Sequence, residues 1–300
     1  MLCALCNKAQ RDELSHIVPR FIYKWLKKTS GTGHLRAAHE PDKRIQDGFK
    51  YPLLCPACED EFSRYETKFS QQVFYPLINN QLTSIAYDEH LLRFGVSLIW
   101  RCCHHVWLER DDDKPMQPEF EGKMELAYQR WREFLLGEER NPGAFRVFVL
   151  PLQNVEEVTT ENPPAGMSTY FTRAVDVDMV CNSTSGYIYA KLPHFIFFGE
   201  VFHKGKDNFS RNLNLRVRKG VLGGKSMRVS GAFWEYIQER CEYIVTQRKK
   251  ISEKEIEKIK KSYEKNPEKL LKSKTLEAAI ADKKYRGEQS ATPKSDRAGG

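Results

Sequence analysis

Two cysteine pairs constrain this chain more than any other feature of its sequence. Cys3 and Cys6 form one CxxC pair, and Cys55 and Cys58 form a second. This spacing lets both thiolates of a pair bind one tetrahedral ion, and four thiolates make a closed structural zinc site. A chain that brings the two pairs together must carry the residues between Cys6 and Cys55 as an insertion. We therefore predict a structural Zn²⁺ bound by all four cysteines.

The other four cysteines have no partner at such a spacing: Cys102, Cys103, Cys181 and Cys241. A free cysteine packs as a small hydrophobic residue, so we expect these thiols to be buried. The first residues lack the layout of a signal peptide, and no apolar run approaches the roughly 18 residues of a membrane span. We therefore expect a cytoplasmic protein with no membrane partner, in which disulfides are disfavoured.

The insertion carries basic and aromatic side chains in alternation. Residues 22–28 predict a short helix with Pro19 suited to its first turn, and residues 31–47 predict a loop. Basic side chains interleaved with aromatic ones suit a nucleic-acid backbone, although a solvated helix face produces the same pattern. The predicted nucleic-acid contacts are Arg20, Lys24, Lys27 and Lys50.

The hydrophobic period becomes helical after Cys58. One apolar stripe consists of Phe62, Tyr65, Phe69 and Val73. A second stripe, about 100° away on helical geometry, consists of Glu59, Ser63 and Glu66. Because this second stripe starts beside the cysteine pair, we expect Glu59 to lie near Ser15 and His16, which end the preceding strand.

Residues 1–75 contain a CxxC, then Ser15-His16 followed by Ile-Val-Pro, then Leu-Cys-Pro-Ala-Cys opening a helix. This order of motifs resembles the HNH (ββα-metal) endonucleases that contain a structural zinc. It implies that His16 is the general base that activates water. Ser15 stands where the family has a metal-binding His or Asp, Glu59 stands where it has a metal-binding His, and Lys50 stands where it has Asn.

Two interpretations of these residues are open. In the catalytic one, His16 is the base, Glu59 is also catalytic, and Mg²⁺ or Mn²⁺ is bound by oxygen ligands from Glu59, Asp47, Glu66 and Ser15. In the other one, the zinc module binds nucleic acid or protein without hydrolysis. The sequence also resembles an uncharacterised bacterial HNH-like subfamily that has Glu and Ser in place of the usual metal-binding residues. This resemblance implies that the partner is DNA and that the role is in anti-phage defence or a mobile element.

The remainder of the chain predicts an α+β arrangement with no recognisable site. Helices are predicted over residues 87–110 and 119–137, and antiparallel strands over residues 145–150, 169–180, 187–192 and 194–202. Residues 230–265 predict one long helix, residues 269–284 a weak one, and residues 289–300 disorder. We therefore predict three segments: an HNH-like module at 1–80, an α+β accessory domain at 81–245, and a Lys/Glu-rich tail at 246–300.

The tail supplies most of the net charge. Residues 246–300 hold 16 basic and 9 acidic side chains, which accounts for 7 of the formal charge of +8. Two roles for the tail compete, a non-specific DNA tether that salt would weaken and a solubilising or partner-binding extension. We expect a protein partner, or a second copy of the chain, to bind through the accessory domain or the tail.

Overall fold

A computed structural model describes residues 1–11, 13–79, 82–110, 116, 118–152, 163–204, 209, 211–224 and 228–291. The chain divides into two units, each built from three stretches of sequence. Unit 1 consists of residues 1–24, 47–153 and 175–234, and unit 2 consists of residues 25–46, 154–174 and 235–300. The three consecutive segments predicted from the sequence stay a prediction about domain organisation.

Helices and antiparallel sheets both occur in the described residues, as the α+β class requires. The helices are α1 (Arg20–Lys28), α2 (Pro56–Phe69), α3 (Tyr75–Asn79), α4 (Glu89–Leu108), α5 (Pro118–Leu136), α6 (Met167–Arg173), α7 (Gly231–Arg248), α8 (Glu253–Lys265), α9 (Pro267–Leu271) and α10 (Lys274–Ala291). The strands are β1 (Glu13–His16), β2 (Leu35–Arg36), β3 (Arg44–Ile45), β4 (Lys50–Leu54), β5 (Ser84–Tyr87), β6 (Val147–Pro151), β7 (Asp176–Cys181), β8 (Ser185–Leu192), β9 (Phe195–His203) and β10 (Gly220–Gly223).

In unit 1, a strand pair leads directly into a helix. β1 pairs antiparallel with β4, and the register places Ser15 opposite Tyr51 and His16 opposite Lys50. α2 follows β4 through Cys55, its N-cap residue, and a π-helical turn extends it over Ser70–Phe74. The apolar stripe predicted for this helix is confirmed, because its aromatic members are all buried: Phe62, Tyr65 and Phe69.

The main core of unit 1 lies on a four-stranded antiparallel sheet of order β6-β9-β8-β7. α4, which is apolar nearly all round, packs against all four strands. Phe69 and Phe94 stack with ring centroids 3.9 Å apart. Gly199 in β9 permits the close approach of the helices, since a Cβ there would collide with Ile99 and Trp131.

Unit 2 contains a small hairpin and the C-terminal helices. β2 pairs with β3, so the loop predicted over residues 31–47 holds two short strands. Glu255 in α8 accepts hydrogen bonds from Arg36 Nη2 at 2.7 Å, Arg44 Nε at 2.9 Å and Lys258 Nζ at 2.7 Å. The hydrogen bonds from Lys258 and Arg36 lower the pKa of Glu255 to about 2. These hydrogen bonds join α8, which lies in the segment predicted as a tail, to the hairpin of unit 2.

The strand predicted over residues 169–180 is wrong in its first half, which is the helix α6. Asp282 in α10 caps this helix, because its carboxylate accepts hydrogen bonds from the backbone N–H groups of Ser168 at 2.8 Å and Thr169 at 3.2 Å. A cap of this kind stabilises a helix that local propensity does not predict.

The long helix predicted over residues 230–265 is two helices, α7 and α8. Ser252 ends the connection between them as the N-cap of α8. The weak helix predicted over residues 269–284 is likewise divided into α9 and α10. α10 extends to Ala291, and residues 292–300 lie outside the described residues, so the disorder predicted for residues 289–300 stays a prediction.

Three of the four remaining cysteines are buried as predicted: Cys102, Cys103 and Cys241. The prediction is wrong for Cys181, which is exposed at the end of β7. Among the described helices, none has both the length and the apolar character needed to cross a membrane.

Candidate functional site

The four cysteines of the two CxxC pairs form one cluster. Their Sγ atoms all lie within 4.8 Å of one another, and the Sγ atoms of Cys6 and Cys55 are 3.8 Å apart. A tetrahedron with Zn–S bonds of about 2.3 Å places its sulfurs about 3.8 Å from each other. The cluster therefore has the dimensions of a four-cysteine zinc site, as the sequence predicts.

Backbone hydrogen bonds form both halves of this cluster. In the first half, the N–H of Asn7 donates to the carbonyl of Cys3 at 2.9 Å, and Asn7 adopts a φ of 55°. The N–H of Ala4 donates to the carbonyl of Leu53 at 2.9 Å and so joins this half to β4. In the second half, Cys55 caps α2, which places Cys58 in the first turn of the helix.

The electrostatics of the thiols also fit a bound cation. Burial raises the pKa of Cys6, but hydrogen bonds from the backbone of Ala9 and Lys8 outweigh it and lower this pKa to about 6. Burial and the neighbouring thiols raise the pKa of Cys55 and of Cys58. Four thiolates at this separation repel one another, and a soft divalent ion such as Zn²⁺ removes that repulsion.

His16 lies at the end of β1 and is paired with Asp47. Its Nε2 is 2.9 Å from Oδ2 of Asp47, and Nζ of Lys50 is 3.0 Å from the same oxygen. Burial raises the pKa of Asp47, but the hydrogen bonds from His16 and Lys50 outweigh it and lower this pKa to about 2. Asp47 is thus an ionised acceptor for the Nε2–H of His16, which leaves Nδ1 as the ring nitrogen that can accept a proton.

Ser15 and Glu59 are in direct contact. The hydroxyl of Ser15, which is fully buried, donates to Oε2 of Glu59 at 2.7 Å. Glu59 lies in the first turn of α2, where the helix dipole favours a negative charge. Within the described part of the chain, Glu59 forms no ion pair with a cationic side chain. The two residues together offer oxygen ligands to a cation.

Glu66, two turns further along α2, is paired with a buried arginine. Its Oε1 accepts a hydrogen bond from Nη1 of Arg101 at 2.7 Å. Burial raises the pKa of Glu66 above its usual value, the charge and hydrogen bond of Arg101 oppose this shift, and Glu59 and His16 are both near enough to influence the same carboxyl. His16, Glu59 and Glu66 therefore share one electrostatic neighbourhood. Of the predicted oxygen ligands, Asp47 is engaged by His16 and Glu66 by Arg101.

The predicted nucleic-acid contacts have different environments. Arg20 and Lys24 are exposed on α1. In unit 2, Nζ of Lys27 donates to the carbonyl of Gln46 at 2.8 Å. Lys50 is held by Asp47 beside His16. Contact of these side chains with DNA stays a prediction.

Arg101 and a second hydrogen-bond network in unit 1 are features that the sequence patterns do not reveal. The hydroxyl of Tyr51 donates to Oε1 of Glu109 at 2.6 Å and lies 2.9 Å from Nδ1 of His105. An arginine in the middle of an apolar helix is the signal that could have identified Arg101.

No protein-family model, curated protein or solved structure matches this chain. Its function is therefore inferred from the residues of the site.

Proposed function

We propose that the chain is a metal-dependent endonuclease of the HNH type that cleaves phosphodiester bonds in DNA. The observation that carries the proposal is the pairing of His16 with an ionised Asp47, next to a Ser15–Glu59 pair at the start of α2. A strand pair that leads into a helix beside a four-cysteine cluster supports it, because the resemblance implies these elements in this order.

His16 is the general base in this proposal. Asp47 holds Nε2, so that Nδ1 accepts a proton from the water that attacks phosphorus. The negative charge of Asp47 then stabilises the imidazolium that forms. Lys50 keeps Asp47 ionised and adds positive charge where a phosphate would approach.

Glu59 and Ser15 are the residues that would hold Mg²⁺ or Mn²⁺. Mg²⁺ is commonly held by one or two carboxylates, with water and substrate phosphate as its other ligands, and this donor set fits that description. The bound cation would stabilise the charge on the phosphate and on the leaving oxygen. Asp47 and Glu66, which the sequence also predicts as ligands, act instead as partners of His16 and Arg101.

One observation favours a second function, a zinc-dependent module that binds nucleic acid or protein without cleaving it. Each predicted carboxylate ligand already has a protein partner: Asp47 with His16, Glu59 with Ser15, and Glu66 with Arg101. A module of this kind would keep the zinc cluster and the exposed basic side chains of α1. Cleavage of DNA distinguishes the two functions.

Incubation of the full chain with supercoiled plasmid and Mg²⁺ or Mn²⁺ tests the proposal. We expect nicked and linear products that do not form when the divalent metal is omitted. His16→Ala should lower the rate by about 10²–10⁴-fold, the usual contribution of a general base, at a temperature where thermal unfolding shows the variant to be folded. His39→Ala removes an exposed imidazole in unit 2 and should leave the rate unchanged. Glu59→Gln should raise the metal concentration that half-maximal cleavage requires.

Equal rates for the parent and for His16→Ala would refute the assignment of the base. Binding of a labelled plasmid fragment without cleavage, retained in His16→Ala, would favour the second function.

A further inference from the structure

Arg101 lies in a place that is costly for a charged side chain. It is near the middle of α4, among residues that are almost all apolar and buried, and only 1% of it is exposed. A guanidinium removed from water destabilises a fold unless excellent hydrogen bonds compensate, and an apolar residue would satisfy packing at lower cost. The presence of arginine therefore calls for a role other than packing.

The hydrogen bonds of Arg101 join three elements of unit 1. Nε donates to the carbonyl of Ser97, one turn earlier in α4, at 3.2 Å. Nη1 donates both to the carbonyl of His16 at 2.8 Å and to Oε1 of Glu66 at 2.7 Å. The guanidinium carbon lies 5.3 Å from the centre of the Phe62 ring. One nitrogen thus connects α4 to the last residue of β1 and to α2.

The remaining nitrogen, Nη2, is buried and has no hydrogen-bond partner in the described part of the chain. A buried donor left without a partner destabilises the folded state. The guanidinium is therefore held by the bond of Nε within α4 and by the two bonds of Nη1, although one donor stays without a partner. The bonds of Nη1 lead out of α4, one to the backbone of the proposed base His16 and the other to Glu66.

We propose that Arg101 is a positioning residue for His16: it fixes the end of β1 through the His16 carbonyl and is the counterion of Glu66. Its effect on rate rests on the proposed nuclease function. The backbone of His16 is held by pairing with Lys50 on one side and by Arg101 on the other. A misplacement of about 1 Å in a catalytic group lowers a rate by as much as about 10²-fold. Since Glu66 is neutralised by Arg101, Glu59 is the carboxylate left for a metal.

The proposal also gives a role to the region predicted as an accessory domain. Arg101 belongs to residues 81–245, although the residues that it positions belong to 1–80. The site is therefore complete only when α4 packs on the strand pair.

The test compares Arg101→Lys with a matched control on the same helix. Lysine keeps the charge that pairs with Glu66, but a single ammonium cannot reproduce the planar fork of arginine. Arg93→Lys is the control, because Arg93 is also on α4 and forms its ion pair with Glu89 at 2.6 Å. The first readout is hydrogen exchange at the N–H of Ile17, which follows His16 and donates to the carbonyl of Phe49 at 3.1 Å. The second is the split between kcat and KM for plasmid cleavage.

We expect Arg101→Lys to raise exchange at Ile17 about tenfold while exchange in β8 and β9 stays unchanged. It should lower kcat about 10–100-fold with KM for DNA within twofold of the parent, whereas Arg93→Lys should change neither quantity.

Mn²⁺ titration of the full chain tests whether Glu66 is the counterion of Arg101 and not a ligand of the metal. Glu66→Gln should bind Mn²⁺ within twofold of the parent, and Glu59→Gln should bind it about tenfold more weakly.

Unchanged exchange at Ile17 in Arg101→Lys overturns the proposal, and so does raised exchange with an unchanged kcat. If the parent does not cleave DNA, the nuclease function fails, and the exchange measurement still decides whether Arg101 positions His16. If Arg101→Lys does not fold, Mn²⁺ binding that is tenfold weaker in Glu66→Gln overturns the counterion role, and binding within twofold of the parent supports it.

Discussion

Replacement of one cysteine of the cluster should remove about a quarter of the free energy of zinc binding. Structural zinc sites bind with about 10–16 kcal/mol at pH 7, so an equal share for each of four thiolates is about 2.5–4 kcal/mol. At about 1.4 kcal/mol for each tenfold change, Cys58→Ser should bind zinc about 10²–10³-fold more weakly. The 3.8 Å separation of the Cys6 and Cys55 sulfurs already equals that of a zinc tetrahedron. Moving the thiols into place should therefore take little from the free energy of zinc binding.

The loss of zinc should also unfold the region around the cluster. A contribution of about 10–16 kcal/mol is comparable with the whole stability of an ordinary domain, about 5–15 kcal/mol. The first half of the cluster is tied to β4 through Ala4 and Leu53, and the second half caps α2. Protease sensitivity should therefore appear first in β1, in β4 and at the start of α2.

Three measurements check this prediction. Elemental analysis of the purified chain should find about one zinc per molecule, a chromophoric chelator should report the affinity by competition, and thermal unfolding should give the Tm with and without chelator. Cys181→Ser is the matched control, because it removes an exposed thiol outside the cluster. Zinc affinity in Cys58→Ser equal to that of the parent would refute the ligand assignment. A zinc-free parent with an unchanged Tm and protease resistance would refute the structural role.

Two further predictions concern pH and the basic helices. The pKa of Asp47 is lowered from 3.8 to about 2, so its charge stabilises the fold above pH 4, and this contribution is lost as the pH falls toward 2. Asp47→Asn should therefore be less stable than the parent by about 1–2 kcal/mol at pH 6. Chemical denaturation should show that this difference disappears near pH 2. Lys260 and Lys261 are exposed on α8, and the double replacement by Gln should weaken DNA binding several-fold at low salt and reduce the salt slope by about 2. Low-salt affinity that does not change, measured by fluorescence anisotropy, would contradict a tether.

The parts of the site that the sequence predicts depend on short-range patterns. A CxxC pair lies within four residues, and the buried stripe of α2 repeats every three or four residues, so both can be read from neighbouring positions. The sequence also predicts that Glu59 lies near Ser15, because Glu59 directly follows a cysteine of the cluster and Ser15 lies at a strand end. This proximity is confirmed, since the two side chains are in hydrogen-bond contact.

The parts that could not be predicted depend on contacts between distant positions. Arg101 donates to the carbonyl of His16, which is 85 residues earlier in the chain. The helix α6 replaces a predicted strand because Asp282, 114 residues after Ser168, caps it. Residues 169–173 favour a strand by composition, and only the fold brings the capping carboxylate to them.

Each unit is assembled from three separate stretches of the chain, and this arrangement determines how late in synthesis each unit can complete its fold. The polypeptide changes from one unit to the other five times. A ribosome that has made Cys58 has supplied every thiol of the cluster, but it must continue through residue 203 before β9 can pair with β8. At 5–20 residues per second this interval is about 7–30 s. A single recombination breakpoint within the first 234 codons would split at least one unit, so neither unit can move between genes as an intact cassette.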